Sequence, residues 1–243
     1  MEIKASGDRG VIVSFGNEIK KEIHYIVRDY MHLITEENYD FVEEVIPSYT
    51  SVLINYKPEI INFNDLEDVL IELNKKVKVK SKSDINIIHI PVIYGGDYGP
   101  DIEFVAEYNN ITQEEVIQIH SERNYLIYML GFTPGFSFLG GMSDKIATPR
   151  LDEPRTKIKA GSVGIAGSQT GIYPIESPGG WRLIGRTPIK LFSPEEENPV
   201  LLKMGDYIKF EPINEEEYFR ILDDIKNNTY KIKVTRVSDY EPD

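Results

Sequence analysis

The chain has 243 residues, with 27 Lys and Arg against 40 Asp and Glu, giving a formal net charge of −13. A hydrophobic fraction of 41% beside 28% charged residues fits a packed globular protein of one large or two small domains, and excludes a disordered or collagen-like chain. Zero cysteines exclude disulfides, thiolate metal sites and thiol catalysis, and no apolar run approaches the roughly 18 residues of a membrane helix.

From the start, Glu2 to Ala5 and Val11 to Phe15 read as strands around the turn Ser6-Gly7-Asp8-Arg9-Gly10. Asn17 is the expected cap of a long helix on which Ile19, Ile23, Ile26, Val27, Tyr30, Leu33 and Ile34 form one apolar stripe. Phe41 to Ile46 and Ser51 to Tyr56 read as a strand pair, Asn64 as the cap of a second helix ending near Lys76, and Val77 to Ser81 as a further strand. That order is the ferredoxin-like split βαβ. The polar stretch Lys75 to Asp84 marks a boundary near residue 84, so the expected domains are 1–84 and 85–243.

Beyond the boundary, Ile85 to Tyr94 reads as a strand and Asp101 to Tyr108 as a short helix. Thr112-Gln113-Glu114-Glu115 is a capping box that opens another helix, ending near His120. Tyr125 to Phe132 returns to strand. Ser162 to Ala166, Trp181 to Ile184, Ile189 to Phe192 and Asp206 to Phe210 are short strands between Gly and Pro turns, as in a β-barrel or sandwich. Asn214 caps a late helix to about Asp224, Tyr230 to Val237 is a final strand, and Ser238 to Asp243 is an acidic tail.

The start Met1-Glu2-Ile3-Lys4 is unlike a signal peptide, so a cytoplasmic location is expected and no membrane partner. Net charge −13 argues against nucleic acid, which is bound through clustered Lys and Arg. Four scattered histidines without a His-Glu-x-x-His motif give no metal site. Charge is uneven along the chain: Gly131 to Lys190 holds eight basic and four acidic residues, with eleven of the 18 glycines and six of the 14 prolines.

Three clusters in this window carry chemistry. Gly161, Ser162, Gly164, Gly167 and Gln169 belong to a glycine-spaced run whose amides either approach a phosphate or oxyanion or simply turn tight barrel corners; the spacing is neither a Walker nor a Rossmann fingerprint. Ser177, Gly179, Gly180 and Trp181 precede Arg182 and Arg186, where paired guanidinium donors suit a carboxylate or phosphoryl group and Trp181 alone suits core packing. Phe132, Phe136 and Phe138 line either a pocket or a partner surface, or are core at a strand end. Arg150 and Arg155 complete the basic set. His120 is a candidate proton carrier whose alternative is a structural histidine.

Gly131-Phe132-x-Pro134-Gly135-Phe136, Ala147-Thr148-Pro149-Arg150, Pro154-Arg155, Ala160 to Gly167, Gln169 to Pro174 and Ser177-Pro178-Gly179-Gly180-Trp181-x-Leu183-Ile184-Gly185-Arg186-Thr187-Pro188 together resemble the signature of the KipI-like family, also described as allophanate hydrolase subunit 1 or the B subunit of 5-oxoprolinase. The likeness is dense from Gly131 to Pro188 and looser around it; Lys159 departs from the proline expected before Ala160-Gly161.

The resemblance implies an α+β chain, a ferredoxin-like N-terminal domain followed by a cyclophilin-like β-barrel without isomerase activity. It implies pairing with a KipA-like protein (the C subunit of 5-oxoprolinase) and with the lactam-opening A subunit, in a complex that uses ATP and Mg²⁺ as co-substrate to open 5-oxoproline to glutamate. No tightly bound cofactor is expected. The alternative within the family is an inhibitor of a sporulation histidine kinase. Arg150, Arg155, Arg182 and Arg186 all match the motif and are the expected catalytic set with His120, while no base or nucleophile stands out, as suits a component that is inactive alone.

Overall fold

The structure, a computed structural model, describes residues 1–77 and 85–237. The chain divides into two compact units, Met1–Lys82 and Ser83–Asp243.

In the first unit, β1 (Glu2–Ser6) and β2 (Gly10–Ser14) form a hairpin whose turn places Gly7 at φ +73°, a conformation that costs glycine little. Helix α1 (Lys21–Glu37), strands β3 (Val42–Pro47) and β4 (Ser51–Tyr56), and helix α2 (Phe63–Lys76) follow. The sheet order is β1-β2-β4-β3 with every pair antiparallel, so β2 and β3 run the same way with β4 between them. Val11, Val13, Val52 and Ile54 form the buried face of the sheet, and Val27, Tyr30, Ile34, Leu66, Leu70 and Leu73 are the buried stripes of the two helices. The Tyr30 hydroxyl donates to the Leu70 carbonyl at 3.1 Å, tying the helices together.

Two caps differ from the sequence reading. Helix α1 begins at Lys21 without a side-chain cap, and Ile19, expected in its stripe, lies ahead of it and is 60% exposed. Helix α2 is capped by Asn62, whose side chain accepts from the Asp65 amide, not by Asn64. Asn62 is three residues ahead of an acidic residue and so supplies the capping geometry that Asn64, already inside the helix, cannot. Of the expected strand Val77 to Ser81, Val77 is the C-cap of α2 and the remainder lies outside the described residues; the edge beside β2 is taken by β1.

The second unit runs β5 (Asn86–Tyr94), α3 (Ile102–Tyr108), α4 (Gln113–Ser121), β6 (Asn124–Leu130), β7 (Ser137–Gly140), β8 (Arg155–Ile158), β9 (Ser162–Ala166), β10 (Gln169–Ile172), β11 (Ser177–Gly179), β12 (Arg182–Arg186), β13 (Tyr207–Pro212), α5 (Glu215–Lys226) and β14 (Val234–Arg236). One large sheet has the order β10-β9-β12-β5-β13-β6-β7, with β14 also on β5, and β7 approaches β10 so that the sheet nearly closes into a barrel. Strands β8 and β11 pair separately.

β5 is buried along almost its whole length because it serves two neighbourhoods. Its first residues pair with β13 in parallel and with β14, and its last two pair with β12. The interior is filled by Ile90, Val92, Tyr125, Ile127, Val163, Ile165 and their neighbours. Thr112 and Glu115 complete the expected capping box, and Asn214 accepts from the Glu217 amide at 2.9 Å to start α5. Ile189 to Phe192 is not a strand: only Phe192 bridges, to Val200, although Ile189 and Leu191 are buried as a strand's apolar residues would be. Ser238 to Asp243 lies outside the described residues. Among the described residues, no helix is long and apolar enough to cross a membrane.

Candidate functional site

A cleft of about 200 Å³ opens on the second unit where four connections meet. The β6–β7 connection brings Phe132 and Phe136, and β7 itself brings Phe138. Arg150 comes from the segment before β8, Gln169 from the start of β10 and Tyr173 from just past its end. Pro178, Gly179, Gly180 and Trp181 come from β11 and the turn into β12. Arg150 is the charged residue of this lining, and no carboxylate or imidazole is part of it.

The walls are an edge-to-face aromatic frame centred on Phe136. Its ring lies 5.7 Å from Phe132, 5.2 Å from Phe138, 5.9 Å from Trp181 and 6.4 Å from Tyr173, each near perpendicular. The glycines make this frame possible. A Cβ on Gly171 would lie 3.2 Å from the Trp181 indole, and one on Gly179 would collide with the Tyr173 hydroxyl and lie 2.9 Å from Ile158. Only residues without side chains let the rings seat this closely.

Phe132 is held at the rim in an unusual way. It is 78% exposed and adopts φ +68°, a left-handed conformation that costs a bulky residue on the order of 1 kcal/mol. Hydrogen bonds within its own loop hold it there: the Gly131 amide to the Phe136 carbonyl at 3.1 Å, Phe136 to Thr133 at 3.0 Å, and Thr133 to Gly131 at 2.8 Å. The Tyr173 phenol has its pKa raised, first by burial; a backbone hydrogen bond from Trp181 and the Arg150 and Arg155 charges pull the other way.

The four candidate arginines differ in what they hold. Arg150 is exposed, lines the cleft, and makes no hydrogen bond or ion pair among the described residues. Arg155 on β8 donates to Asp101 at 2.9 Å and to the Trp181 carbonyl at 3.4 Å, while the other Asp101 oxygen accepts the Leu183 amide at 2.6 Å. Arg182 lies 3.7 Å over the Phe104 ring and donates to the Pro149 carbonyl. Arg186 donates to the Ala160 carbonyl at 3.1 Å. Arg155 thus braces the strand that carries the cleft, and Arg182 and Arg186 brace loops.

The glycine-spaced run is also engaged internally. The Gly161 amide donates to the Tyr173 carbonyl at 2.7 Å, Ser162 to Lys159 at 3.2 Å and Gly167 to Thr148 at 2.8 Å. Gly164 lies within the β9 ladders and accepts the Thr170 hydroxyl at 3.0 Å. Its amides therefore turn corners and pair strands, and do not form a phosphate cradle. Ser177 pairs with Ile158 and Gly180 accepts the Leu151 amide at 2.7 Å, which fixes the turn that presents Trp181.

His120 stands apart from the cleft. It is fully buried, with Nδ1 against the Tyr94 hydroxyl and Nε2 against the Thr170 hydroxyl, both at 2.8 Å, and its ring is stacked on Phe210 with centroids 4.4 Å apart. Burial lowers its pKa to about 3, so it is neutral, and both nitrogens are committed to the core. Among the residues that sequence reasoning gave no role, Tyr173 matters most: a lone tyrosine after a short strand carries no signal, although Gln169-Thr170-Gly171-Ile172-Tyr173-Pro174 is conspicuous as a motif. Among the described residues, no group of three or more His, Asp and Glu side chains comes together as a metal ion would require.

The family described as carboxyltransferase domain, subdomain C and D, matches residues 1–202. The chain is 45% identical to the 5-oxoprolinase B subunit of Bacillus subtilis (strain 168) over 89% of its own length and 95% of that protein's. It is 39% identical to the 5-oxoprolinase B subunit of Escherichia coli O157:H7 over 72% of its length and 79% of that protein's. Urea amidolyase of Lachancea kluyveri is 29% identical over 95% of this chain, which corresponds to 14% of that much longer protein. Among solved structures, a conserved uncharacterized protein of Pyrococcus horikoshii is 47% identical with a TM-score of 0.53, covering 89% of this chain and all of that one. Urea amidolyase of K. lactis superposes with a TM-score of 0.76 at 25% identity, over 96% of this chain and 16% of that one.

Proposed function

The chain belongs to the carboxyltransferase subdomain C and D family, and from that premise we propose that it is the B subunit of an ATP-dependent 5-oxoprolinase, the complex that opens 5-oxoproline to L-glutamate. The observation that carries this reading is the 45% identity to a 5-oxoprolinase B subunit over nearly the full length of both chains. We propose further that the split βαβ of the first unit is ferredoxin-like and that the second unit is a cyclophilin-like barrel, the two joined near residue 84. Mild proteolysis is then expected to leave a stable fragment starting between about residues 75 and 95, since the polar Lys75 to Asp84 stretch has little to bury. Digestion that yields no such fragment counts against the boundary.

Opening a lactam is difficult because its amide is resonance-stabilised; phosphorylating the lactam oxygen, with ATP and Mg²⁺ as co-substrate, makes the carbon electrophilic enough for water to add, so that the ring C–N bond breaks and a second water releases phosphate from the resulting acyl phosphate. The residues of this chain suit positioning within that reaction. The cleft offers one guanidinium, a carboxamide and a phenol that burial keeps protonated, among aromatic walls, and no carboxylate, imidazole or amine to act as base or nucleophile. One positive charge does not balance a triphosphate, so the reading assigns ATP and the hydrolytic chemistry to two partners, a KipA-like C subunit and the lactam-opening A subunit, and leaves binding and orientation to this chain.

The expected result is that the isolated chain gives negligible ATP-dependent glutamate formation from 5-oxoproline, whereas a mixture with both partners turns over. Glutamate release and phosphate release, followed in parallel, check this. Full turnover by the isolated chain overturns the division of labour, and no turnover in a mixture of competent partners overturns the assignment.

A further inference from the structure

We propose that the aromatic cleft is a subsite for a small carboxylate that carries a five-membered lactam ring, with Arg150 pairing the carboxylate and the accessible Phe132, Phe138 and Trp181 rings packing its methylene edge. On the function proposed above, which this inference deepens and on which the identity of the acid rests, the occupant is 5-oxoproline itself.

Three features select that ligand class. The first is size: about 200 Å³ falls below the several hundred Å³ of pockets that hold nucleotide-sized or drug-sized molecules, yet suits a single small ring. The second is charge. A single guanidinium on an otherwise uncharged wall matches a monoanion, and its planar fork matches a carboxylate with two parallel hydrogen bonds. The third is the wall. The buried Phe136 ring holds Phe132, Phe138 and Trp181 near perpendicular to it at the open side of the cleft, which favours packing against the methylene groups of a small ring and gives nothing to a bare phosphate.

Arg150 differs from the other candidate arginines in the way a ligand-binding residue should. Arg155, Arg182 and Arg186 each donate to a carboxylate or a carbonyl of this chain, whereas Arg150 is exposed at the cleft without such a bond among the described residues. Its side chain is therefore available, and its removal leaves no buried partner behind.

The chain carries its own reporter, because Trp181 is its one tryptophan and lines the cleft. Titrating the full chain with L-5-oxoproline is expected to give a saturable change in tryptophan emission. Acetate, which lacks the ring, and inorganic phosphate and ATP, which lack the carboxylate, are expected neither to produce the change nor to compete. Arg150→Ala should weaken binding about ten-fold or more with an unchanged melting temperature, and Arg150→Lys should recover only part of it. The proposal is overturned if the wild-type chain shows no saturable response, if Arg150→Ala binds as tightly as wild type, or if phosphate competes as well as 5-oxoproline. Turnover of the three-component mixture, measured with the same preparation, separates the two readings. A mixture that turns over beside a chain that fails the titration removes the subsite alone, and a chain that binds 5-oxoproline in a mixture without turnover removes the complex assignment alone.

Discussion

Arg155→Ala is expected to lower the stability of the second unit by on the order of 3 kcal/mol, and Asp101→Ala by at least as much. The Asp101 side chain is 10% exposed and that of Arg155 30%, so either truncation strands a charge that water reaches poorly. Asp101 carries the larger penalty because its two oxygens serve two partners: one takes the Arg155 guanidinium, and the other takes the Leu183 amide at the start of β12. Removing the carboxylate leaves that buried amide unsatisfied as well. Urea denaturation of the single variants and of the double variant is the measurement, and the double variant should lose clearly less than the two singles together, since each single already breaks the same pair. A loss under about 1 kcal/mol for both singles would show a pair screened like a surface one.

The same series sorts the four arginines by role. Arg182→Ala and Arg186→Ala remove loop braces to the Pro149 and Ala160 carbonyls, worth on the order of 1 kcal/mol each, and Arg150→Ala removes none. An arginine count in one basic window says that guanidinium groups are needed there; only the fold says that Arg155 braces a strand and that Arg182 and Arg186 brace loops.

That division explains what was legible in the sequence. Features written within a few consecutive residues were read well: the Thr112 to Glu115 capping box and the Asn214 cap depend on side chains reaching amides three residues on. The α1 start was not, because Asn17 has the right residue type but its helix face has nothing to bury until His24 and Val27. The cleft was legible as composition and illegible as geometry. The glycine-spaced run reads as allowing a ligand to approach closely, yet at Gly171, and beyond it at Gly179, what approaches is the Trp181 indole and the Tyr173 ring of this same chain. Arg150 and Trp181 are thirty-one positions apart and share the cleft because β8 pairs with β11 and the Leu151 amide donates to the Gly180 carbonyl, contacts no spacing rule encodes. His120 looked like a proton carrier on the strength of its ordinary pKa, and its burial among Tyr94, Tyr125, Thr170 and Phe210 removes that property.

The consequence of that burial is a stability that falls in mild acid. Below its ordinary value of 6.5, an unfolded-state histidine takes up a proton, whereas folded His120 stays neutral until about pH 3 and folded His24 until about pH 4. In that interval the unfolded chain binds more protons than the folded one, so stability is fully present above about pH 6.5 and lost as pH falls towards the folded values. The slope reaches about 1.4 kcal/mol per pH unit for each histidine. Desolvation is the first cause for both, joined at His24 by the Arg28 charge and opposed there by Asp29. Denaturation midpoints measured from about pH 7.5 to 4.5 at fixed ionic strength should therefore decline below about pH 6.5. His120→Asn, which keeps a polar side chain among the Tyr94 and Thr170 hydroxyls but cannot titrate, should start less stable and decline less steeply, while the pH dependence of complex turnover near neutrality stays as in the wild type. A proton-carrying His120 predicts the reverse: an altered acid limb of turnover with an unaltered slope of stability, and that pair of results would return the residue to the reacting site.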